Sequence, residues 1–360
     1  MKVVKQLEKF EPYKLSRHKA WDYIGDSDLL KLDWNECTIK PPPSVSKALM
    51  DLVERGNFNF YPDTNNSDLR GALSDYAAVG EGFLEYYSSS DGAHEYIFRT
   101  YASIGQRILI VGPTYDNLRV VAEASGLEIR YHYLDSSNGF SPCVNSLDAS
   151  IRLNDPDFVY ICNPNNPTST LWGRESLEQL IEAHATRLFI IDEAYFEFNG
   201  STLVSSTKFL ENLIISRTFS KAFGLAGLRF GYLISSERRI AEIGLIRNGK
   251  SVNSFAQVAV RAALRELDFY QEYIDEVMAA KRQFADKLVV LGFNVYCEGG
   301  GNFALVDFGP RKQDIVLSLE RHKVFVRDLS HLLGEGFVRI TIGTAEQMNR
   351  VHEIIRGSSL

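Results

Sequence analysis

The sequence has 360 residues, 45% of them hydrophobic and 24% charged, with a formal net charge of −7. That size fits one large or two modest domains, and the balance excludes disordered, collagen-like and supercharged chains. Mild acidity argues against a generic nucleic-acid coat, yet leaves room for a local basic pocket that takes a small anion. Cys37, Cys143, Cys162 and Cys297 lie far apart, with no CxxC pair and no close histidine. Neither a metal site nor a disulfide framework fits that spacing, so four reduced thiols are expected. The opening MKVVKQLEKFEPYKLSRHKAWD is charged throughout, without the apolar core of a signal peptide, and nothing downstream resembles a membrane span. A soluble, cytoplasmic protein is expected.

Residues 1–45 are extended and end near Pro43, which marks an arm or the first piece of a second unit. Residues 46–250 form the large domain, where short apolar, β-branched runs alternate with helical stretches. The expected strands are Arg107–Val111, Leu127–Tyr133, Asp157–Cys162, Arg187–Asp192, Asn212–Ser216 and Phe230–Ser235. Between two of them, Glu175–Ala185 places Leu177, Leu180 and Ile181 on one helical face, after a turn marked by Pro167 and Gly173. This alternation predicts βαβ units, hence an α/β fold with a mainly parallel central sheet covered by helices. Residues 251–360 change texture. A long helical run, Gln257–Leu291, precedes strand-like runs at Asn302–Asp307, Val324–Val326 and Phe337–Ile342, which predict a smaller α+β domain.

Open parallel sheets bind ligands beyond the carboxyl ends of their strands. Directly after four expected strands stand dense polar clusters: Gly112–Tyr115, Asn163–Thr168, Asp192–Tyr195 and Arg217–Lys221. On a parallel sheet all four meet at one edge.

Lys221 lies between hydroxyl residues and a glycine-spaced segment that ends with Arg229. A free lysine of pKa about 10.4 is neutral in only ~1 molecule in 2,500 at pH 7. Burial or a nearby cation turns it into a nucleophile, and the other reading is a surface lysine near a helix start. Ser220, Thr218 and Arg229 resemble a phosphate cup of hydroxyls and a guanidinium fork. Asp192 follows an apolar strand with no cationic neighbour in sequence, which leaves room for a cation supplied by a ligand; otherwise it caps the next helix. Tyr195 and Asn166 are placed to hydrogen-bond an oxygen of the same ligand ring. Gly92-Ala93-His94 reads as a glycine turn opening a helix over Glu95–Ala102, with backbone N–H groups for a second side of a phosphate. Tyr115 stacks on a flat ring, or is a buried aromatic.

Together these parts match the protein side of pyridoxal phosphate chemistry. The chain resembles the fold-type I pyridoxal-phosphate enzymes, most closely the histidinol-phosphate aminotransferase branch. That branch's motifs stand here as NPNNPTS (Asn163–Ser169), DEAY (Asp192–Tyr195) and SKAFGLAGLRFGY (Ser220–Tyr232), and the resemblance runs from about Leu32 to Thr344. It implies that Lys221 forms the Schiff base and shuttles the proton between Cα and the cofactor's C4′. It implies that Asp192 keeps the pyridine nitrogen protonated, and that Asn166 and Tyr195 bind the ring hydroxyl. Arg229, Ser220, Thr218 and the Gly92-Ala93-His94 backbone are implied as the phosphate site. Tyr61, in NFNFYPD, matches a tyrosine that reaches the phosphate of a partner subunit, which implies a homodimer. Arg339, in FVRITIGT, matches the arginine that clamps the amino acid carboxylate, and Asn35, in DWNEC, an asparagine near the substrate. Arg327 binds a second substrate anion or pairs with Asp328.

Ser169 replaces the usual glycine, His94 stands where aspartate is common, and Thr38–Pro42 replaces the usual NPYGP turn. The expected reaction is amino transfer from an amino acid, first L-glutamate, to a small phosphorylated keto or aldehyde acceptor. Decarboxylation of a phosphorylated amino acid is the alternative. A non-catalytic relative would be expected to lose the lysine or the aspartate, and both are present.

Overall fold

The computed structural model describes residues 10–12 and 18–358, so the N-terminal arm is seen only in part. In chain order the strands are β1 (Leu30–Leu32), β2 (Leu84–Tyr87), β3 (Arg107–Gly112), β4 (Glu128–Tyr133), β5 (Phe158–Cys162) and β6 (Leu188–Asp192). They continue with β7 (Leu213–Thr218), β8 (Gly231–Ser235), β9 (Asn294–Tyr296), β10 (Phe303–Asp307), β11 (Val324–Asp328) and β12 (Phe337–Thr341). Seven form a sheet in the order β2-β8-β7-β6-β5-β3-β4, parallel from β7 through β4, with β8 antiparallel to both of its neighbours. The other five follow the order β1-β11-β12-β10-β9, in which only β1 and β11 run parallel.

The central strands β5 and β6 are buried along their whole length, which is why FVYIC and LFIID are continuous apolar runs without alternation. At the sheet edge β4 is largely exposed and carries Glu128 and Arg130, charges that discourage pairing with another chain. The helix Arg174–Ala183 buries Leu177, Leu180 and Ile181, the face expected from their spacing. The long run after Ser251 divides into the helices Ser254–Ala263 and Leu267–Val290, the first capped by Asn253, whose Oδ1 accepts the Ala256 N–H at 2.8 Å. Among the described residues no helix is long and apolar enough to cross a membrane.

Three strands lie outside the sequence expectation: β2 and the three-residue strands β1 and β9. β2, LEYY, carries Glu85, which is buried between Arg70 and Arg247. Its charge is satisfied by tertiary partners that no local pattern reveals.

A further difference bears on the site. The helix expected to start at Glu95 instead spans Ser89–Tyr101, so Gly92 lies inside it. Ser89 opens the helix with φ +80°. The end of β8 passes directly beneath: a Cβ on Gly231 would lie 2.4 Å from the Ser90 nitrogen. Only glycine permits that approach.

Candidate active site

Parallel strands β3, β5, β6 and β7 deliver their following residues to one edge, and there the four polar clusters interlock. Thr114 Oγ1 donates to Asn165 Oδ1 at 2.7 Å, and Asn165 Nδ2 donates to Pro113 O at 2.9 Å. The Asn163 N–H bonds to Asp192 O, and the Glu193 N–H to Ser216 O. Behind them Glu193 pairs with Arg217 at 2.8 Å, both buried.

Lys221 is at the centre. Its Nζ donates to Trp34 O at 2.9 Å and sits 5.7 Å from the Tyr195 ring centre. Burial, reinforced by the Arg339 charge, brings its pKa down to about 8. Asp192, 4% exposed at the end of β6, accepts from Tyr160 Oη at 2.8 Å and from the Ala194 N–H at 3.1 Å. Burial raises its pKa above the usual carboxylate value, against the opposing pull of His94 and the Tyr160 hydroxyl. Tyr195 accepts from Asn35 Nδ2 at 3.0 Å, and burial pushes its phenol up.

The anion-binding end is displaced by three residues from its expected position. A helix leaves its first N–H groups unpaired, and because this one starts at Ser89, those are the amides of Ser89, Ser90 and Asp91. The Gly92 N–H already faces Ser89 Oγ at 3.3 Å. Gly92, Ala93 and His94 therefore do not supply the free backbone donors. His94 is buried instead with Nε2 2.9 Å from Ser216 Oγ and its ring edge-on to Tyr160, close enough to influence Asp192. Around the helix end, Arg229 donates to Asp91 Oδ2 at 3.0 Å, while Tyr115 Oη and Asn117 Nδ2 meet Asp91 Oδ1 at 3.1 and 3.0 Å. Thr218 Oγ1 donates to Ser220 Oγ at 2.9 Å and receives the Ser220 N–H. The sequence patterns do not single out Asp91 or Tyr160. An acid in the first turn of a helix was the available signal for Asp91, whereas only the tertiary fold reveals Tyr160.

From the five-stranded sheet, Arg339 on β12 reaches across. Its Nη1 donates to Asn166 Oδ1 at 2.6 Å and its Nη2 to Asp33 O. Asn35, at φ +56°, is held by Thr341, whose Oγ1 accepts the Asn35 N–H at 2.9 Å. Arg327 is the cross-strand partner of Arg339 in the β11–β12 register, which puts both side chains on one face of the sheet. Successive strand residues point to opposite faces, and Asp328 takes Lys312 Nζ at 2.9 Å. Tyr61 is 77% exposed, with Lys250 Nζ 4.6 Å over its ring.

A buried carboxylate with no lysine or arginine partner among the described residues, a buried amine kept partly neutral, and anion donors at a helix end make a consistent set. They fit pyridoxal phosphate, whose ring nitrogen, carbonyl and phosphate need those three partners.

Residues 27–355 match the family model for aminotransferase class I and II. A dihydroxyacetone phosphate transaminase of Campylobacter jejuni is 38% identical over 99% of this chain and 97% of its own length. A histidinol-phosphate aminotransferase of Carboxydothermus hydrogenoformans is 31% identical, covering 95% and 93%. The crystal structure of histidinol-phosphate aminotransferase from Sinorhizobium meliloti in complex with pyridoxal-5'-phosphate superposes with a TM-score of 0.82 at 24% identity, over 91% and 90% of the two chains. The chain belongs to the class I and II aminotransferases, enzymes of fold type I that use pyridoxal phosphate.

Proposed function

We propose that this aminotransferase takes its amino group from L-glutamate and passes it to a small phosphorylated ketone or aldehyde, acting as a homodimer. The observation that carries the acceptor class is the β11–β12 register, which sets Arg327 beside Arg339 on one face. Two neighbouring guanidinium forks suit a substrate set that carries a carboxylate in one half-reaction and a phosphate in the other. The relatives from C. jejuni and C. hydrogenoformans are named for different substrates, a ketone in the first and an amine in the second, and both carry a phosphate.

When bound, pyridoxal phosphate withdraws electrons from the substrate's α-carbon. Lys221 would hold the cofactor's carbonyl end through its neutral amine and would carry the proton at the substrate's α-carbon. Asp192, held by Tyr160 and the Ala194 N–H, keeps a proton on the ring nitrogen. Asn166 and Tyr195 hold the ring hydroxyl, and Tyr115 covers the ring face. Thr218, Ser220, Arg229 and the amides of Ser89–Asp91 hold the phosphate, with Asp91 orienting Arg229 and Tyr115. Arg339 takes the substrate carboxylate, and Asn35 fixes Tyr195. Exposed Phe58, Phe60 and Tyr61 form a surface for a second copy, to whose site Tyr61 would be contributed.

The test offers dihydroxyacetone phosphate and its unphosphorylated form to the cofactor-loaded protein with L-glutamate, and measures 2-oxoglutarate. Turnover confined to the phosphorylated ketone is expected, and equal use of both forms would refute a phosphate-reading site. Arg327→Gln is then expected to raise the acceptor KM about 10–100-fold, the worth of a charged hydrogen bond. The glutamate half-reaction should stay within about threefold, since Arg339 remains in place.

A further inference from the structure

Lys281, on the helix Leu267–Val290, is 1% exposed, yet no role above uses it. Lysine is almost never fully buried without partners. Its Nζ donates to Gly300 O at 2.8 Å, Gly301 O at 3.0 Å and Ser169 Oγ at 3.1 Å. Three uncharged oxygens receive it, and burial brings its pKa down to about 8.

Ser169 is the residue that replaces the usual glycine. It keeps a glycine-like backbone at φ +62° and uses its hydroxyl fully. Oγ donates to Gly300 O at 2.6 Å and accepts from the Gly300 N–H at 3.3 Å as well as from Lys281. The two loops touch along their backbones: a Cβ on Gly299 would lie 1.9 Å from Ser169 O.

Both loops lead into the site. Three residues before Ser169 is Asn166, within a turn closed by the Ser169 N–H to Asn165 O at 2.8 Å. After Gly301 comes Asn302, whose amide holds Asn35 O at 3.1 Å, and then β10, where Leu305 faces Arg339 in register. The Arg339–Asn166 hydrogen bond closes the far side of the same circuit.

We propose that Lys281 and Ser169 form a positioning clamp that locks the Gly299–Gly301 loop, and with it β10 and Arg339, against the turn carrying Asn166. The clamp sets the affinity of Arg339 for the substrate carboxylate, not the rate of the chemistry. It rests on the reading of Arg339 as the carboxylate fork.

Ser169→Gly tests it mildly, because glycine accepts the same backbone angle without strain. Lys281→Met tests it more strongly: it takes the Lys281 partner from the Gly301 carbonyl, while Gly300 O keeps Ser169 Oγ. In the cofactor-loaded protein, Ser169→Gly is expected to raise the KM for L-glutamate roughly 3–10-fold, and Lys281→Met about 10–100-fold. In both, kcat should stay within about twofold. The double variant should be no worse than Lys281→Met alone, since both act on one clamp. Hydrogen exchange at the Gly300 amide should quicken about tenfold, the worth of one hydrogen bond, while β5–β7 stay unchanged. An unchanged KM in Ser169→Gly and Lys281→Met, or a fall in kcat at constant KM, overturns the positioning role. Unchanged exchange at Gly300 overturns the clamp itself. Wild-type protein that reacts with no amino donor refutes the aminotransfer reading and the affinity claim with it, and exchange at Gly300 still decides whether the clamp exists.

Discussion

Replacing Lys221 by alanine is expected to lower kcat by at least about 10⁴-fold, the upper range for loss of one acid–base group. In the proposed reaction the same amine serves as nucleophile and as proton carrier, so its removal would take away two functions. The site prepares it for both. With a pKa of about 8, produced by burial and the Arg339 charge, a substantial neutral fraction exists at pH 7. That fraction is about one in ten, against about one in 2,500 for a free lysine. The phosphate cup does not include Lys221, so the variant should still bind pyridoxal phosphate, seen by fluorescence titration. Turnover within tenfold of wild type would refute the role.

Asp192→Asn is expected to act in two opposite directions. In the loaded enzyme kcat should fall about 10³-fold, the scale for removing one preorganised electrostatic partner. In the cofactor-free protein the same change should stabilise. Asp192 is buried with its pKa raised, so its protonated form is the one the fold prefers. Stability from that group is present below the ordinary carboxylate pKa and is lost as pH rises through the raised value. Asparagine carries no charge: its Oδ1 can accept the Ala194 N–H while its Nδ2 donates to Tyr160 Oη, whose hydroxyl serves equally as acceptor. A gain of about 1–2 kcal/mol is expected near pH 7, worth roughly 2–6 °C in the melting temperature. The melting curves of variant and wild type should converge as pH falls. A variant less stable than wild type at neutral pH, without cofactor, would contradict the reading of Asp192 as a carboxylate waiting for a cation.

Six strands of the large sheet and the convergence of its polar clusters were legible in the sequence. β3, β5, β6 and β7 are continuous apolar runs that stop at a polar cluster, and parallel strands leave no choice of edge. Lys221, Asp192, Asn166 and Tyr195 stand out as candidates because each lies at or just after the end of such a run, and the fold brings them to one edge. The start of this helix differs from the expectation for a physical reason: glycine is the residue expected at positive φ, which points to Gly92, whereas Ser89 itself adopts φ +80°. β2 escaped because Glu85 breaks its apolar run, and the arginines that satisfy it lie 15 and 162 residues away in sequence. Tyr160 on Asp192 and Lys281 on Ser169 are contacts between elements distant in sequence, so no local pattern encodes them. Arg327 shows the converse. Its neighbour Asp328 suggests an ion pair, and only the fold brings Lys312 to Asp328.

The most direct test is the visible spectrum of the purified, pyridoxal-phosphate-loaded protein before and after L-glutamate. A yellow band that bleaches on addition, with one equivalent of 2-oxoglutarate released per site, is the expected result. A band that glutamate and other amino acids leave unchanged, or carbon dioxide released without any oxo acid, would contradict amino transfer at this site.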